Sequence, residues 1–83
     1  MQVIIYTRQG CPLCDEGIAV ARSVFGDANV ALVDVDLDLE LLGKYTNRVP
    51  VIETVDGAVV AEGAIVEESL RMALEESPPA PRG

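Results

Sequence analysis

Val3-Ile4-Ile5-Tyr6-Thr7-Arg8-Gln9-Gly10-Cys11-Pro12-Leu13-Cys14 is the stretch on which the reading of this chain turns. Residues 2–6 are β-branched or aromatic apart from Gln2, and Thr7-Arg8-Gln9-Gly10 breaks the run. This predicts a short buried strand and a loop that delivers the chain to Cys11. From Pro12 to Phe25 apolar positions recur at helical spacing: Leu13, Gly17, Val20, Ala21 and Val24, with Ile18 and Phe25 alongside. Asp15, Glu16, Ala19, Arg22 and Ser23 fall on the opposite face. Pro12 suits a first helical position, where its missing N–H would have had no partner, and Gly26-Asp27 supplies a stop. The helix therefore begins at the first cysteine.

Outward from this unit, residues 30–35 form an apolar run broken by Asp34, the pattern of a parallel-sheet strand covered on both faces. Strand, helix and strand of this length imply a right-handed crossover. Asp36 and Asp38 can cap a short helix carrying Leu39, Leu41, Leu42 and Tyr45, which Gly43 weakens. Residues 51–55 and 58–61 flank Asp56-Gly57, a dipeptide that favours the left-handed conformations of tight hairpins. Ile65, Val66, Leu70, Ala73 and Leu74 then oppose Glu67, Glu68, Arg71, Glu75 and Glu76 in a closing amphipathic helix. Ser77-Pro78-Pro79-Ala80-Pro81-Arg82-Gly83 cannot continue it. The chain thus reads as one domain over residues 1–76 and a mobile proline-rich tail over 77–83. The order β-α-β-α-β-β-α, with helices on both faces of four strands, describes a three-layer α/β fold.

The length of 83 residues allows only a single small domain. With 49% hydrophobic residues the chain is not compositionally disordered. No apolar run reaches the roughly 18 to 20 residues of a membrane span. Six basic residues against 14 acidic ones leave a net charge of −8. Neither a phosphate backbone nor an anionic lipid surface finds a cationic face to grip, which argues against nucleic-acid and membrane partners. The N-terminus lacks the basic start and apolar core of a secretory signal, so the expected location is the cytoplasm. With no histidine and only two cysteines, the chain has no imidazole for a catalytic triad or a metal site. Two thiolates supply half of a tetrahedral zinc shell, so a closed zinc site would require a second protomer or a run of carboxylates, and no metal ligand is assigned.

Cysteine redox chemistry leads what remains. Cys11 and Cys14 stand at the i, i+3 spacing at which side chains meet on a helix surface, where a disulfide closes with little backbone movement. The unpaired N–H groups and positive dipole end of the helix favour a thiolate at Cys11, while Asp15 and Glu16 offset part of that field and moderate its acidity. Cys11 is the expected nucleophile, and Cys14, deeper but in reach, the resolving thiol that attacks the mixed disulfide. The alternatives for an isolated pair are two inert buried thiols or half of a metal site. A Cys-x-x-Cys after a strand and opening a helix is, however, a redox signature. Val49-Pro50 stands at the start of the third strand, where proline is tolerated as a first residue or in a cis turn. A cis Pro50 would aim its ring and the preceding carbonyl at Cys11 and leave the Val49 backbone free to pair with an extended substrate. An ordinary edge-strand proline is the other reading.

Residues 6–16, then Val33-Asp34-Val35-Asp36, Val49-Pro50-Val51, Asp56-Gly57 and Gly63, resemble the short bacterial glutaredoxin-like proteins, a branch of the thioredoxin-fold superfamily. The likeness runs from residue 1 to about residue 76. It implies a thioredoxin-like, glutaredoxin-type fold with a four-stranded mixed sheet, three helices and the hairpin antiparallel to a central first strand. It also implies a cis Pro50, nucleophilic Cys11, resolving Cys14, and reduction of protein disulfides or glutathione mixed disulfides with electrons from glutathione or a thioredoxin reductase system. In that frame Arg8 matches a basic position used for a glutathione carboxylate, Arg48 assists, and Pro12, Leu13, Val49 and Pro50 line the substrate. No cofactor is expected to be tightly bound, glutathione being at most a co-substrate, and the protein is expected to be a monomer. The chain departs from the family in having Leu13 where an aromatic is usual and Arg48 before Val-Pro where threonine is usual. Glu62-Gly63-Ala64-Ile65-Val66 also lacks the polar residues that would hold the γ-glutamyl end of glutathione. A related alternative is a redox-responsive adaptor, or a protein that holds an iron-sulfur cluster between two protomers through its first cysteine, without general turnover.

Overall fold

The computed structural model describes residues 1–45 and 47–76. Its elements are β1 (Val3–Thr7), α1 (Pro12–Phe25), β2 (Val30–Asp34), α2 (Leu39–Tyr45), β3 (Val51–Thr54), β4 (Val59–Glu62) and α3 (Glu67–Glu76), with 3-10 turns at Asp27–Asn29 and Val35–Leu37. The sheet order is β2-β1-β3-β4. β1 runs parallel to β2, Val3 opposite Val30 and Thr7 opposite Asp34. On its other side β1 pairs antiparallel with β3, Tyr6 opposite Val51, and β3 continues antiparallel into β4, Val51 opposite Glu62. The β-α-β-α-β-β-α order, the mixed four-stranded sheet and the three helices are those read from the sequence.

Alternation along β1 and β3 divides the interior in two. Val3, Ile5 and Ile52 point to one face and meet Ala21 and Phe25 of α1, Ile65, and Leu70 of α3. Tyr6 and Val51 point to the other and meet Val35, Leu41, Leu42, Tyr45 and Val49 around α2. The strand period of 2 makes β1 and β3 serve both cores.

Short polar devices set the element ends. The Asp34 carboxylate accepts from the Asp36 amide at 2.9 Å, so the acidic end of β2 closes a turn. Asp38 caps α2 by accepting from the Glu40 and Leu41 amides at 2.9 and 3.2 Å, as the sequence suggested for it. Among the described residues Asp36 caps no helix: it pairs with Arg8. The hairpin loop over residues 55–58 turns at Gly57, whose φ of +93° only glycine adopts cheaply. Thr54 closes it through its hydroxyl, which accepts from the Ala58 amide at 3.1 Å.

Three expectations change. β2 is an edge strand and is not covered on both faces: Leu32, opposite Ile5 on the α1 side, is 44% exposed, and Ala31, on the α2 side, is exposed as well. Leu13 does not belong to the buried stripe of α1, which runs through Cys14, Gly17, Ala21 and Phe25. Val66 is exposed and precedes α3, while Ile65 takes the inward place against Gly17. The expected tail over 77–83 lies outside the described residues. Among the described residues no helix is long and apolar enough to cross a membrane.

Candidate active site

Gly10, with φ of +72°, turns the chain out of β1, and Cys11 in an extended conformation becomes the N-cap of α1 with Pro12 beside it at the helix start. The Cys11 Sγ accepts a hydrogen bond from the Cys14 amide at 3.1 Å, and the Cys11 carbonyl accepts from the Asp15 amide at 3.1 Å. Sulfur thus takes the role that a serine or aspartate oxygen usually plays at a cap. In the reduced protein the same amide, together with the dipole of α1, would stabilise a thiolate at Cys11. Here the two sulfurs are joined as a disulfide with Cα atoms 5.2 Å apart. Cys11 is partly exposed and Cys14 fully buried, so an incoming group meets Cys11 first. Pro12 and Leu13, between the two cysteines in sequence, are both exposed, Leu13 to 45%.

The Val49-Pro50 peptide bond is cis and Pro50 is buried. Its ring reaches α1 at Gly17, one turn beyond Cys14: a Cβ there would stand 3.2 Å from the ring Cγ and 2.9 Å from Ile65 Cγ1. Gly17 is therefore a close-approach glycine that lets the Pro50 segment and the start of α3 lie on the cysteine helix. The Pro50 carbonyl accepts from the Gly63 amide at 2.9 Å, which fastens the end of β4 to the same segment. The Val49 backbone is only half available to a partner, because its N–H already donates to the Tyr45 carbonyl at 3.1 Å.

Arg8 and Arg48 both lie at this end of the sheet, and both are taken. Arg8 Nε is 3.0 Å from Asp36 Oδ1. Arg48 grips Glu62 with two bonds, Nε to Oε2 at 2.8 Å and Nη2 to Oε1 at 2.9 Å, a bidentate geometry. The hydrogen bond from Arg48 holds the Glu62 carboxyl below its ordinary range, and its reciprocal raises Arg48. The Arg48 guanidinium also lies 5.2 Å from the centre of the Tyr45 ring.

Tyr45 itself escaped the sequence reading as a site residue. It is 1% exposed, its hydroxyl donates to the buried Glu53 carboxylate, and its ring centre is 4.9 Å from that of Tyr6. Its carbonyl accepts from both Arg48 and Val49. Burial first, and the Glu53 charge second, raise the Tyr6 phenol above its ordinary value. The signal was present in the strand alternation, which places Val51 and Glu53 on the same face as Tyr6, but nothing local paired Glu53 with Tyr45.

The X-ray structure of target protein XcR50 from X. campestris is similar, with a TM-score of 0.80 and 28% identity over 92% of this chain and 99% of that one. Protein Ne2328 from Nitrosomonas europaea shares the fold at TM-score 0.65 and 22% identity, over 83% and 85% of the two chains. Oxidized glutaredoxin 2 from Chlamydomonas reinhardtii shares it at 0.53 and 17%, over 89% and 71%. Curated proteins give no match. The glutaredoxin-like domain (DUF836) matches residues 2–75, from the first strand through both cysteines and the cis proline into the last helix, and the chain belongs to that family.

Proposed function

We propose that the protein is a thiol-disulfide oxidoreductase in which Cys11 attacks and Cys14 resolves. The observation that carries this reading is the asymmetry of the pair: Cys11 is partly exposed and accepts the Cys14 amide at the start of α1, while Cys14 is buried behind it. In the reduced protein the Cys11 thiolate attacks a substrate disulfide R–S–S–R′. A Cys11–S–S–R bond forms, the substrate bond breaks, and R′S⁻ leaves and takes up a proton. Cys14 loses its proton and attacks Cys11 Sγ, which expels RS⁻ and forms the intramolecular disulfide. Two electrons pass to the substrate, and two thiol equivalents from glutathione or a thioredoxin reductase system restore the dithiol. Substrates of this kind are protein disulfides or glutathione mixed disulfides, and the setting such chemistry suits is the reducing cytoplasm. Pro12 and Leu13 provide apolar contact, Arg8 and Arg48 border the site, and the Val49 carbonyl beside Pro50 accepts one hydrogen bond from a substrate backbone.

Replacement tests the division of labour. Cys11→Ser is expected to abolish turnover of a protein disulfide, and retained turnover would remove the assignment. Cys14→Ser is expected to stop at a mixed disulfide with the same substrate, visible by mass spectrometry as an adduct on Cys11. An adduct that never accumulates would deny Cys14 its resolving role.

A further inference from the structure

Guanidinium groups at the end of the sheet from which the cysteine helix starts would recruit a thiol bearing carboxylates, since guanidinium pairs with carboxylate in a bidentate fork. Arg8 lies three residues before Cys11, and Arg48 two before Pro50, whose ring packs on α1 at Gly17. Yet Arg8 already holds Asp36 at 3.0 Å, and Arg48 holds Glu62 through two bonds of 2.8 and 2.9 Å. The pairing uses up the fork of Arg48 and the Nε of Arg8. The same end of the fold, formed by the starts of α1, α2 and α3, also presents exposed Asp15, Glu16, Asp38 and Glu68 in a chain of net charge −8.

We propose that Asp36 and Glu62 set the thiol specificity of the Cys11–Cys14 centre. As internal carboxylates they occupy Arg8 and Arg48, so the disulfide is reduced by neutral or cationic thiols in preference to carboxylate-bearing ones such as glutathione. The inference rests on the oxidoreductase reading above and chooses between its electron sources. Reduction consumes two thiols. The first thiolate attacks Cys11 Sγ, the Cys11–Cys14 bond breaks, and Cys14 leaves with the electron pair and takes up a proton. The second thiolate attacks the thiol-derived sulfur of the mixed disulfide, which forms RSSR and releases Cys11 to take up the other proton.

The test compares three thiols on the oxidised full chain: anionic glutathione, neutral 2-mercaptoethanol and cationic cysteamine. Each rate is corrected for thiolate fraction and divided by that thiol's rate on a neutral small-molecule disulfide. Cysteamine is expected to exceed glutathione by about tenfold at low salt, within the range that electrostatic steering supplies. The gap should close between about 0.01 M and about 1 M salt, where the Debye length falls from about 30 Å to about 3 Å. The double substitution Asp36→Asn and Glu62→Gln is expected to raise the glutathione-to-2-mercaptoethanol ratio several-fold. Equal normalised rates for glutathione and cysteamine in the unaltered protein would overturn the inference without any substitution, as would a ratio unmoved in a folded double variant. Failure of the underlying reading looks different: none of the three thiols, nor dithiothreitol, would then yield a Cys11–Cys14 dithiol that reduces a protein disulfide.

Discussion

At the scale of single residues, Gly17 carries more of the site than its missing side chain suggests. A methyl group there would meet Ile65 Cγ1 at 2.9 Å and Pro50 Cγ at 3.2 Å, and both residues are buried. Alanine would add up to about 1 kcal/mol of helix propensity. Overpacking costs about 1–3 kcal/mol, and a proline ring cannot rotate aside, so the clash is the larger effect. Gly17→Ala is expected to lower stability by about 1 kcal/mol in urea denaturation, and a variant more stable than the parent would mean that Ile65 turns away freely. Tyr6 gives a prediction in pH. Its phenol is raised above the ordinary value by burial and then by the Glu53 charge, so the folded state holds the proton more tightly than the unfolded chain. The stability this contributes is complete below the ordinary tyrosine value of about 10 and is lost as pH rises through the folded value. Ultraviolet titration, compared with that of Tyr6→Phe, should show the Tyr6 phenol ionising late, and unfolding midpoints should fall above pH of about 10. Replacement by phenylalanine should flatten that decline.

At the scale of elements, α2 is the piece that needs most outside support. Its seven residues are too few to hold a helix in isolation. Tyr45 secures its end from both sides, the hydroxyl on Glu53 and the carbonyl under the Arg48 and Val49 amides. Tyr45→Phe removes the hydroxyl from a carboxylate that is 7% exposed, and losing a partner at a buried polar group costs about 1–3 kcal/mol. Amide exchange at Arg48 and Val49 should quicken along with that loss, whereas unchanged exchange would confine the anchor to the side chain. Most elements were legible beforehand, because β1, α1 and the hairpin each declare a period and a stop, and Asp38 announces the start of α2. The Cys11–Cys14 pair and Val49-Pro50 were legible because their spacing is local. The edge position of β2 is not legible, since an apolar run reads the same at an edge as in a sheet centre. The partners of Arg8 and Arg48 were not legible at all: Asp36 and Glu62 reach them through the registers of β1 on β2 and β3 on β4, which no local pattern encodes.

At the scale of the whole molecule, charge and size act together. A chain of 83 residues is only modestly stable, so electrostatic terms of about 1 kcal/mol move its unfolding visibly, by about 4–8 °C in Tm. Salt acts on two opposed quantities. It weakens the ion pairs Arg8–Asp36, Arg48–Glu62 and Arg71–Glu67, whose side chains are 37–54% exposed and which contribute about 0–1 kcal/mol each. It also screens repulsion among acids that outnumber the bases 14 to 6. Once the ion pairs are formed, the acids left over still face one another across a small surface, and exposed Asp15 and Glu16 lie in the first turns of the helix that starts at the disulfide. Repulsion is therefore the larger quantity, and sodium chloride raised from about 0.01 M to about 0.5 M is expected to increase Tm by several degrees. Thermal unfolding followed by circular dichroism measures this directly. A Tm that falls with salt would mean that the three pairs outweigh the surplus of acid, and the field held to repel anionic thiols from Cys11 would lose its physical basis.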